Sequence, residues 1–277
     1  MKVVRTRAEL RAARGVLPGH VGFVPTLGAL HEGHGSLLQA ARDNNASVVA
    51  SIFVNPTQFG PNEDYTRYPR TEEADLSMLE AIGVDVAYLP AIEEMYPPGG
   101  ATVVDVGRLG EVLEGAARPG HFRGVATVVA KLFSMVGPHR AYFGQKDGQQ
   151  SVVIKRLTRD LGLPIEIVIC PTVREPDGLA LSSRNRYLSI EERAQAPALH
   201  QALQAAETAV ADGERSADKL RALMLEAVAP ATLGKPDYVS IADADSLEEL
   251  TVLNRPALAS LAVRFPSARL IDCRPLD

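Results

Sequence analysis

Hydrophobic residues recur along the chain in short unbroken runs that alternate with longer segments of helical period. Short apolar runs predict buried strands, and segments with the 3.6-residue period predict amphipathic helices. Through the first 170 residues the pattern predicts strands at 21–26, 47–54, 85–90, 140–144 and 164–170, with helices at 36–43, 71–84, 127–136 and 149–162. Alternation of strand and helix builds βαβ units, so this part should be an α/β domain with a parallel sheet.

The pattern changes after Cys170. A polar loop marked by Pro and Gly is followed by two alanine-rich amphipathic segments and three strand-like runs, at 171–189, 190–212, 216–229, 237–243, 257–265 and 268–273. Helices segregated from strands indicate an α+β arrangement. We therefore predict an α/β domain over residues 1–175 and a smaller C-terminal α+β domain over residues 176–277.

Composition limits the classes of protein to which this chain can belong. The 277 residues are 46% hydrophobic and 23% charged, with a net charge of −5, which disfavours a general nucleic-acid binder but leaves room for a local phosphate pocket. Cys170 and Cys273 each end an apolar run, as expected of buried thiols in a reducing compartment. Charges throughout the N-terminal segment and the lack of a long apolar run predict a soluble, cytoplasmic protein without a membrane span.

The strongest chemical signal is FVPTLGALHEGHGSLL at 23–38, where a predicted strand ends and a helix should begin near Gly35 or Ser36. Backbone N–H groups and the positive end of the helix dipole meet at such a point, which favours a bound anion. Gly28 and Gly33 permit close approach of the backbone to that anion. The segment therefore predicts a phosphate site.

His31 and His34 lie within the same segment, three residues apart. Two imidazoles there can donate hydrogen bonds to phosphate oxygens and stabilise developing charge. Zinc is the alternative, but metalloprotease histidines stand four apart on a regular helix. Here Gly33 interrupts the pair and the sequence offers no evident third ligand.

Two further segments follow predicted strands and carry amides or charge. In FVNPTQFG, Asn55 and Gln58 come after a strand, and an amide can both donate and accept; a plain turn is the alternative. In YFGQKDGQQ, Lys146 suits a phosphate and Asp147 a ribose hydroxyl, although the two residues also fit a surface ion pair. Gln149 is expected on a solvated helix face.

The loop REPDGLALSSRN offers two hydroxyls and a guanidinium, at Ser182, Ser183 and Arg184. This set suits phosphate oxygens, and a polar linker between domains is the alternative. Val173 and Leu181 flank the loop and offer apolar contacts to an adenine ring. The sequence thus contains several phosphate-binding candidates in separate segments.

These segments resemble a known family. The HxGH element after an early strand is similar to the signature of the HIGH-type nucleotidyltransferase superfamily, and the longer string PTLGALHEGHGSLL resembles the pantothenate synthetase (pantoate–β-alanine ligase) family. FVNPTQFGPNEDYTRYPR, GHFRGVATVVAKLF, YFGQKDGQQ and REPDGLALSSRNRYLS fit the same family, in order, over residues 20–190. Gly35 and Gly148 depart from the family pattern, which has larger residues there.

The resemblance implies a Rossmann-like first domain and an active site between it and a smaller C-terminal domain that carries the SSRN loop and covers the site. It implies catalytic roles for His34, His31, Lys146 and Arg184. It implies ATP contacts from Pro25, Leu27, Gly28, His31, Gly33, His34, Gly144, Lys146, Asp147, Val173, Leu181, Ser182, Ser183 and Arg184. It further implies substrate contacts from Gln58, Gln150 and Asn55, while Arg118 and His121 fit a site role or an exposed loop equally.

The implied reaction is an ATP-dependent condensation of pantoate with β-alanine through a pantoyl adenylate, releasing AMP and pyrophosphate. Mg²⁺ is expected on the phosphates, with protein ligands that the sequence does not identify. The resemblance also implies a homodimer. A nucleotidyltransferase acting on a phosphorylated substrate and a non-catalytic nucleotide-binding module are the alternatives; the first would need a second basic cluster, which the sequence lacks.

Overall fold

The computed structural model describes residues 1–61 and 63–277, and these residues form two compact units. The first unit comprises Met1–Glu111, Gly115–Gly144 and Val153–Cys170. The second comprises Val112–Glu114, Gln145–Val152 and Pro171–Asp277. Each unit has its own sheet and its own apolar core.

The first unit is built on a parallel sheet. Its elements are β1 (Lys2–Val4), α1 (Arg7–Arg14), β2 (Val21–Thr26), α2 (Glu32–Asn44), β3 (Ser47–Ile52), a 3₁₀ turn (Pro56–Gln58), α3 (Glu72–Ile82), β4 (Val86–Tyr88), α4 (Ile92–Met95), a second 3₁₀ turn (Gly107–Gly110), α5 (Glu114–Ala117), α6 (His121–Val136), β5 (Arg140–Gly144), α7 (Gly148–Asp160) and β6 (Glu166–Cys170). Glu114 of α5 and residues 148–152 of α7 belong to the second unit. The strands lie in the order β1-β4-β3-β2-β5-β6. The predicted α/β class with a parallel sheet is confirmed.

The order of the strands identifies where a ligand should bind. From β2 the chain proceeds to β3 on one side, and it later returns to place β5 on the other side of β2. In open α/β sheets, ligands bind outside the carboxyl ends of strands at such a reversal. The reversal lies between β2 and β5, whose carboxyl ends are Thr26 and Gly144.

The second unit has the predicted α+β arrangement, and its helices pack on an antiparallel sheet. Its elements are a 3₁₀ turn (Ser183–Tyr187), α8 (Ile190–Gln195), α9 (Ala198–Ala211), α10 (Ala217–Val228), β7 (Lys235–Asp243), β8 (Ala257–Arg264) and β9 (Arg269–Leu276). The strand order is β7-β8-β9. Buried side chains such as Leu203, Leu220 and Leu261 form the core between its helices and its sheet.

Several element boundaries differ from the predictions. The predicted helix near Gly35 begins instead at Glu32, because the His31 side chain caps it. The helix predicted from residue 127 begins at His121, after Gly120 in a left-handed conformation. The single helix predicted over 190–212 is two helices, with Pro197, which lacks an N–H group, between them. Strand β1 and helix α1 were not predicted, because charged residues obscure their short apolar pattern.

Two findings concern the helices and the cysteines. None of the helices formed by the described residues has the length and apolar character needed to span a bilayer. Cys170 and Cys273 are buried free thiols, as their positions at the ends of apolar runs predicted.

Candidate active site

The two histidines occupy the first turn of α2. The His31 side chain accepts a hydrogen bond at Nδ1 from the Gly33 N–H at 3.2 Å, and His34 Nδ1 accepts from the His31 N–H at 3.3 Å. The rings lie 4.1 Å apart, centroid to centroid. Ser36 closes the turn by donating its hydroxyl to the Gly33 carbonyl at 2.8 Å. The sequence signal therefore folds into a helix start capped by imidazoles.

This geometry fixes the protonation of both imidazoles. A backbone N–H can only donate, so the Nδ1 atom of each ring must be unprotonated. A neutral imidazole then has its proton on Nε2. His31 and His34 are therefore neutral, and each offers an N–H donor at Nε2 at the positive end of α2.

A buried carboxylate holds the loop that leads to these histidines. Asp75, on α3, is 2% exposed and accepts from the Ala29 N–H at 2.9 Å and from the Leu30 N–H at 2.8 Å. The loop is backbone-strained, because Ala29 has φ +50° and Gly28 has φ +84°. A Cβ at Gly28 would lie 3.0 Å from Asp75 Oδ2, so glycine suits both the conformation and the space.

The amide of Gln58 is part of a buried network in the first unit. Asn55 is fully buried, and its Nδ2 donates to Gln58 Oε1 at 3.0 Å and to the Gly124 carbonyl at 3.2 Å. Its Oδ1 accepts from the Tyr96 hydroxyl at 2.8 Å and from the Thr57 hydroxyl at 3.0 Å. Burial raises the pKa of Tyr96, which keeps that hydroxyl protonated. Both ends of the Asn55 amide are thus engaged.

The backbone of Gln58 is held by a charged cluster. The Gln58 carbonyl accepts from His121 Nδ1 at 2.8 Å, and Arg118 donates to His121 Nε2 at 2.9 Å. Because a carbonyl only accepts and a guanidinium only donates, His121 is neutral with its proton on Nδ1. Arg118 also pairs with Glu63 at 2.6 Å. Although burial alone would raise it, the Arg118 guanidinium lowers the pKa of the Glu63 carboxyl.

The turn between β5 and α7 belongs to the second unit from Gln145 onward. Lys146 Nζ lies 3.4 Å from Asp147 Oδ1, and the Lys146 side chain is 19% exposed. The buried Cys273 thiol donates to the Gln145 carbonyl at 2.8 Å. A Cβ at Gly148 would lie 2.6 Å from Cys273 Sγ, so the packing of this thiol explains why glycine stands where the family pattern has a larger residue.

The prediction that Gln149 is solvated is wrong. Gln149 is 5% exposed; its Oε1 accepts from the Glu114 N–H at 2.9 Å, and its Nε2 donates to the Val112 carbonyl at 2.8 Å. Arg269 forms a bidentate ion pair with the Glu114 carboxylate, with N–O distances of 2.6 and 2.8 Å. These bonds explain why Val112–Glu114 belongs to the second unit.

The SSRN loop is a hydrogen-bonded turn. The Leu181 N–H donates to the Val173 carbonyl at 3.0 Å, and residues Arg174 and Ala180 form an antiparallel bridge. Arg174 also forms an ion pair with the buried Asp272 at 2.5 Å. Beyond the bridge, the Ser182 hydroxyl accepts from the Arg184 N–H at 3.3 Å and begins a 3₁₀ turn. The bridge between Arg174 and Ala180 therefore fixes the chain just before Ser182, Ser183 and Arg184.

The predicted residues divide between the two units. The first holds Pro25, Leu27, Gly28, His31, Gly33, His34, Asn55, Gln58 and Gly144, and the second holds Lys146, Asp147, Gln150, Val173, Leu181, Ser182, Ser183 and Arg184. The structure adds Asp75, Tyr96 and Glu63, which sequence reasoning missed. Each of the three acts through hydrogen bonds to residues that are distant in sequence. For Glu63, the polar residues around it in FVNPTQFGPNEDYTRYPR were a sequence signal of a functional segment.

No three His, Cys, Asp or Glu side chains among residues 1–61 and 63–277 are grouped so that they could hold a metal ion. The sequence-level alternative of a zinc site at His31 and His34 therefore finds no supporting ligand set there. Both rings also use Nδ1 to accept backbone N–H groups.

Comparison with known proteins places these features in a family. A family model described as pantoate–β-alanine ligase matches residues 2–274. A pantothenate synthetase from Roseiflexus sp. strain RS-1 is 59% identical over 98% of both chains, and one from Chloroflexus aurantiacus is 59% identical over 98% of this chain and 97% of that one.

Solved structures agree. The pantothenate synthetase of Thermus thermophilus superposes with a TM-score of 0.94 at 52% identity, covering 99% of each chain. The pantoate–β-alanine ligase of Francisella tularensis, solved in complex with β-γ ATP and β-alanine, gives a TM-score of 0.80 at 34% identity, covering 99% of this chain and 97% of that one. The resemblance seen in the sequence is confirmed: this chain belongs to the pantoate–β-alanine ligase family.

Proposed function

We propose that His31, His34, Lys146, Ser182, Ser183 and Arg184 bind the phosphates of ATP in the reaction of this family. That reaction is the ATP-dependent condensation of pantoate with β-alanine through a pantoyl adenylate, with release of AMP and pyrophosphate. Family membership decides between this activity and the alternatives of a different nucleotidyltransferase or a non-catalytic module.

The observation that carries the proposal is the hydrogen bonding of the two histidines. Each ring accepts a backbone N–H at Nδ1 and so holds a proton on Nε2. Two neutral N–H donors beside the positive end of α2 suit phosphate oxygens whose charge increases as pyrophosphate leaves. In this tautomer Nε2 of His34 is a donor and not a base, so we assign it to phosphate binding rather than to proton abstraction.

The first chemical step is an in-line attack by the pantoate carboxylate on the α-phosphorus, with pyrophosphate leaving. Positioning and charge neutralisation dominate catalysis of such displacements. Lys146 and Arg184 supply the positive charge, and Ser182 and Ser183 supply hydroxyl donors. The adenylate then makes AMP a good leaving group, so the β-alanine amine attacks the acyl carbon and forms the amide.

The remaining ATP contacts follow the family pattern. We assign Pro25, Leu27, Gly28, Gly33 and Gly144 to the backbone approach to ATP, Asp147 to the ribose, and Val173 and Leu181 to the adenine ring. Mg²⁺ would arrive on ATP, held by phosphate oxygens and water, which is its usual mode in such sites, and would neutralise phosphate charge.

Gln58 and Gln150 are assigned to pantoate. Neutral amides can orient a carboxylate without the strong ion pair that would lower its nucleophilicity. Asn55 completes this group from its buried position beside Gln58. We also propose a homodimer, as the family resemblance implies, and a cytoplasmic location, which the buried free thiols and the need for ATP support.

The experiment that tests the proposal measures pyrophosphate release from ATP and Mg²⁺ with pantoate present and β-alanine absent. A burst of one pyrophosphate per active site should appear, followed by steady AMP and pantothenate formation when β-alanine is added. Lys146→Ala should slow the burst by about 10²–10³-fold while pantoate binding changes little, the scale of losing one charge-stabilising donor.

The matched control is Lys155→Ala, which removes an exposed lysine from α7, the helix that begins just after Lys146, and should leave the burst unchanged. A Lys146→Ala enzyme with a normal burst rate and a defect confined to pantoate binding would overturn the phosphate assignment. Release of pyrophosphate that does not depend on pantoate would overturn the assignment of the carboxylate as the attacking group.

A further inference from the structure

The amide of Gln58 has a donor end and an acceptor end, and the sequence does not say which of them meets the substrate. In the structure its acceptor end is already used, because Gln58 Oε1 accepts from Asn55 Nδ2 at 3.0 Å. The question is therefore what prevents the Asn55 amide from turning over and reversing the whole arrangement.

Two backbone groups fix the orientation of Asn55. The Thr57 N–H, which can only donate, lies 3.3 Å from Asn55 Oδ1. The Gly124 carbonyl, which can only accept, lies 3.2 Å from Asn55 Nδ2. Side-chain hydroxyls can rotate to suit either orientation, but these two backbone groups cannot. If the Asn55 amide were reversed, its NH₂ group would face the Thr57 N–H and its oxygen would face the Gly124 carbonyl. Neither pair can form a hydrogen bond, and the position is fully buried.

The approach of α6 makes the second of these contacts possible. A Cβ at Gly124 would lie 2.4 Å from the Thr57 carbonyl oxygen, so only glycine allows the helix to reach the Pro56–Gln58 turn this closely. The Gly124 carbonyl thereby becomes the partner of Asn55. Tyr96 adds a further donor, with its hydroxyl 2.8 Å from Asn55 Oδ1.

We propose that Asn55 is a positioning residue that fixes the polarity of the Gln58 amide, so that Gln58 presents its Nε2 donor to a carboxylate oxygen of pantoate. This inference rests on the proposed assignment of Gln58 to pantoate. A carboxylate only accepts, so it matches a fixed donor, whereas a hydroxyl could adapt to either end of the amide. The oriented amide therefore accommodates a carboxylate oxygen at this position, which the reversed amide would repel.

A kinetic series tests the consequence. Asn55→Asp keeps the shape but replaces the Nδ2 donor with an acceptor, so the Gln58 amide should turn its Nε2 toward position 55 and present Oε1 to the substrate. We expect the pantoate KM to rise about tenfold or more, the scale of losing one hydrogen bond to a charged group, with the ATP KM little changed. Asn55→Ala leaves Gln58 free to adopt either orientation and should raise the pantoate KM less.

Selectivity for pantoate separates polarity from simple support of the fold. A purely structural role for Asn55 would raise the pantoate KM and the ATP KM together in both variants, which would overturn the inference. Asn44→Asp, an exposed substitution of the same type at the end of α2, is the matched control and should leave both KM values unchanged.

Gln58→Ala distinguishes the inference from the assignment on which it rests. An unchanged pantoate KM in Gln58→Ala would refute the assignment of Gln58 to pantoate. A raised pantoate KM in Gln58→Ala together with an unchanged one in Asn55→Asp would leave that assignment intact and refute the polarity role of Asn55.

Because Asn55→Asp adds a negative charge and is itself liable to misfold, a measurement on the unaltered protein tests the polarity directly. In protein with ¹⁵N-labelled side-chain amides, the Asn55 NH₂ should exchange slowly with solvent, and the Gln58 NH₂ signal should shift when pantoate is added. Loss of one signal in Asn55→Ala and of the other in Gln58→Ala assigns them. A Gln58 NH₂ signal that pantoate saturation leaves unmoved would overturn the inference.

Discussion

Asp75 offers the sharpest test of how the turn that carries His31 and His34 is held. Its two carboxylate oxygens accept from the backbone N–H groups of Ala29 and Leu30 and from the Thr71 hydroxyl, at 2.9, 2.8 and 3.0 Å. The residue is 2% exposed, so water has little access to replace these bonds. Asp75→Asn keeps the shape of the side chain but turns one acceptor into a donor.

The magnitude follows from the bonds that are lost. The less costly orientation of the new amide places its NH₂ at the Oδ2 position, which leaves only the Ala29 N–H without an acceptor. An unsatisfied buried donor costs about 1–3 kcal/mol, so the free energy of unfolding should fall by that amount. Ala29 has φ +50°, a left-handed conformation that costs a non-glycine residue about 1–2 kcal/mol, so the loop should relax once its bond is gone.

The functional consequence reaches His31, two residues farther along the chain. A displacement of about 1 Å in a positioned group costs about 10²-fold in rate, so pantoate-dependent pyrophosphate release should slow by about 10–10²-fold. Stopped-flow measurement of that release, together with urea unfolding, gives both quantities for the same variant. The pantoate affinity should stay near its natural value, because the Asp75 carboxylate bonds to the loop before His31, whereas Gln58 is held by Asn55.

Thr71→Val is the matched control, since it removes one bond to Asp75 and none to the loop. Its loss of stability should be about 1 kcal/mol or less, and its adenylation rate should stay within about threefold. If Asp75→Asn loses stability but keeps the natural rate of pyrophosphate release, the carboxylate supports the fold without positioning the histidines, and the reasoning is refuted.

Three further predictions concern stability and can be measured by urea unfolding. Gly35→Ala should raise the free energy of unfolding by about 0.5–1 kcal/mol, because the new methyl group would meet its nearest neighbour at an ordinary 3.9 Å within a helix; a loss would contradict this. Gly148→Ala should lower it by about 1–3 kcal/mol, since the methyl group would lie 2.6 Å from Cys273 Sγ, and an unchanged value would show that the thiol moves aside. Hydrogen bonds from Ser246, backbone first, lower the pKa of Asp243 to about 2, so its carboxylate stabilises the fold above its ordinary pKa of about 4 and loses that effect as pH falls through about 2. Asp243→Asn should therefore be least stable relative to the natural protein above about pH 5, and the gap should close toward pH 2; a gap that is constant with pH would refute the assignment.

The turn that contains His31 and His34 shows which features a local sequence pattern can predict and which it cannot. The order of strand, glycine-containing loop and helix is a local signal, and the structure has all three in FVPTLGALHEGHGSLL. The start of the helix was misplaced, because an imidazole that caps a helix is not distinguishable by residue type from one that follows a loop. Only the positions of the backbone N–H groups show that His31 is the cap and that both rings are neutral.

Gln149 and Gln150 show the limit of the same approach. Adjacent glutamines at the start of one helix face different surroundings, and the sequence gives them the same chemistry. The structure buries the amide of Gln149 against Val112 and Glu114, which are remote in sequence. Because Val112 and Glu114 lie more than thirty residues from Gln149, they produce no local sequence pattern around it. The sequence therefore could not predict that Gln149 is buried.

The sequence by itself determined the α/β class, the later α+β segment and the family, because hydrophobic period and long runs of specific residues are local properties of the chain. It also identified the residues that the family pattern assigns to ATP and pantoate. Tertiary structure alone decided which atoms of the Gln58 amide and of the two imidazoles are already used in hydrogen bonds. The polarity of Gln58 depends on Gly124, and the loop before His31 depends on Asp75, because hydrogen-bond direction is set by partners that the fold brings from distant parts of the chain.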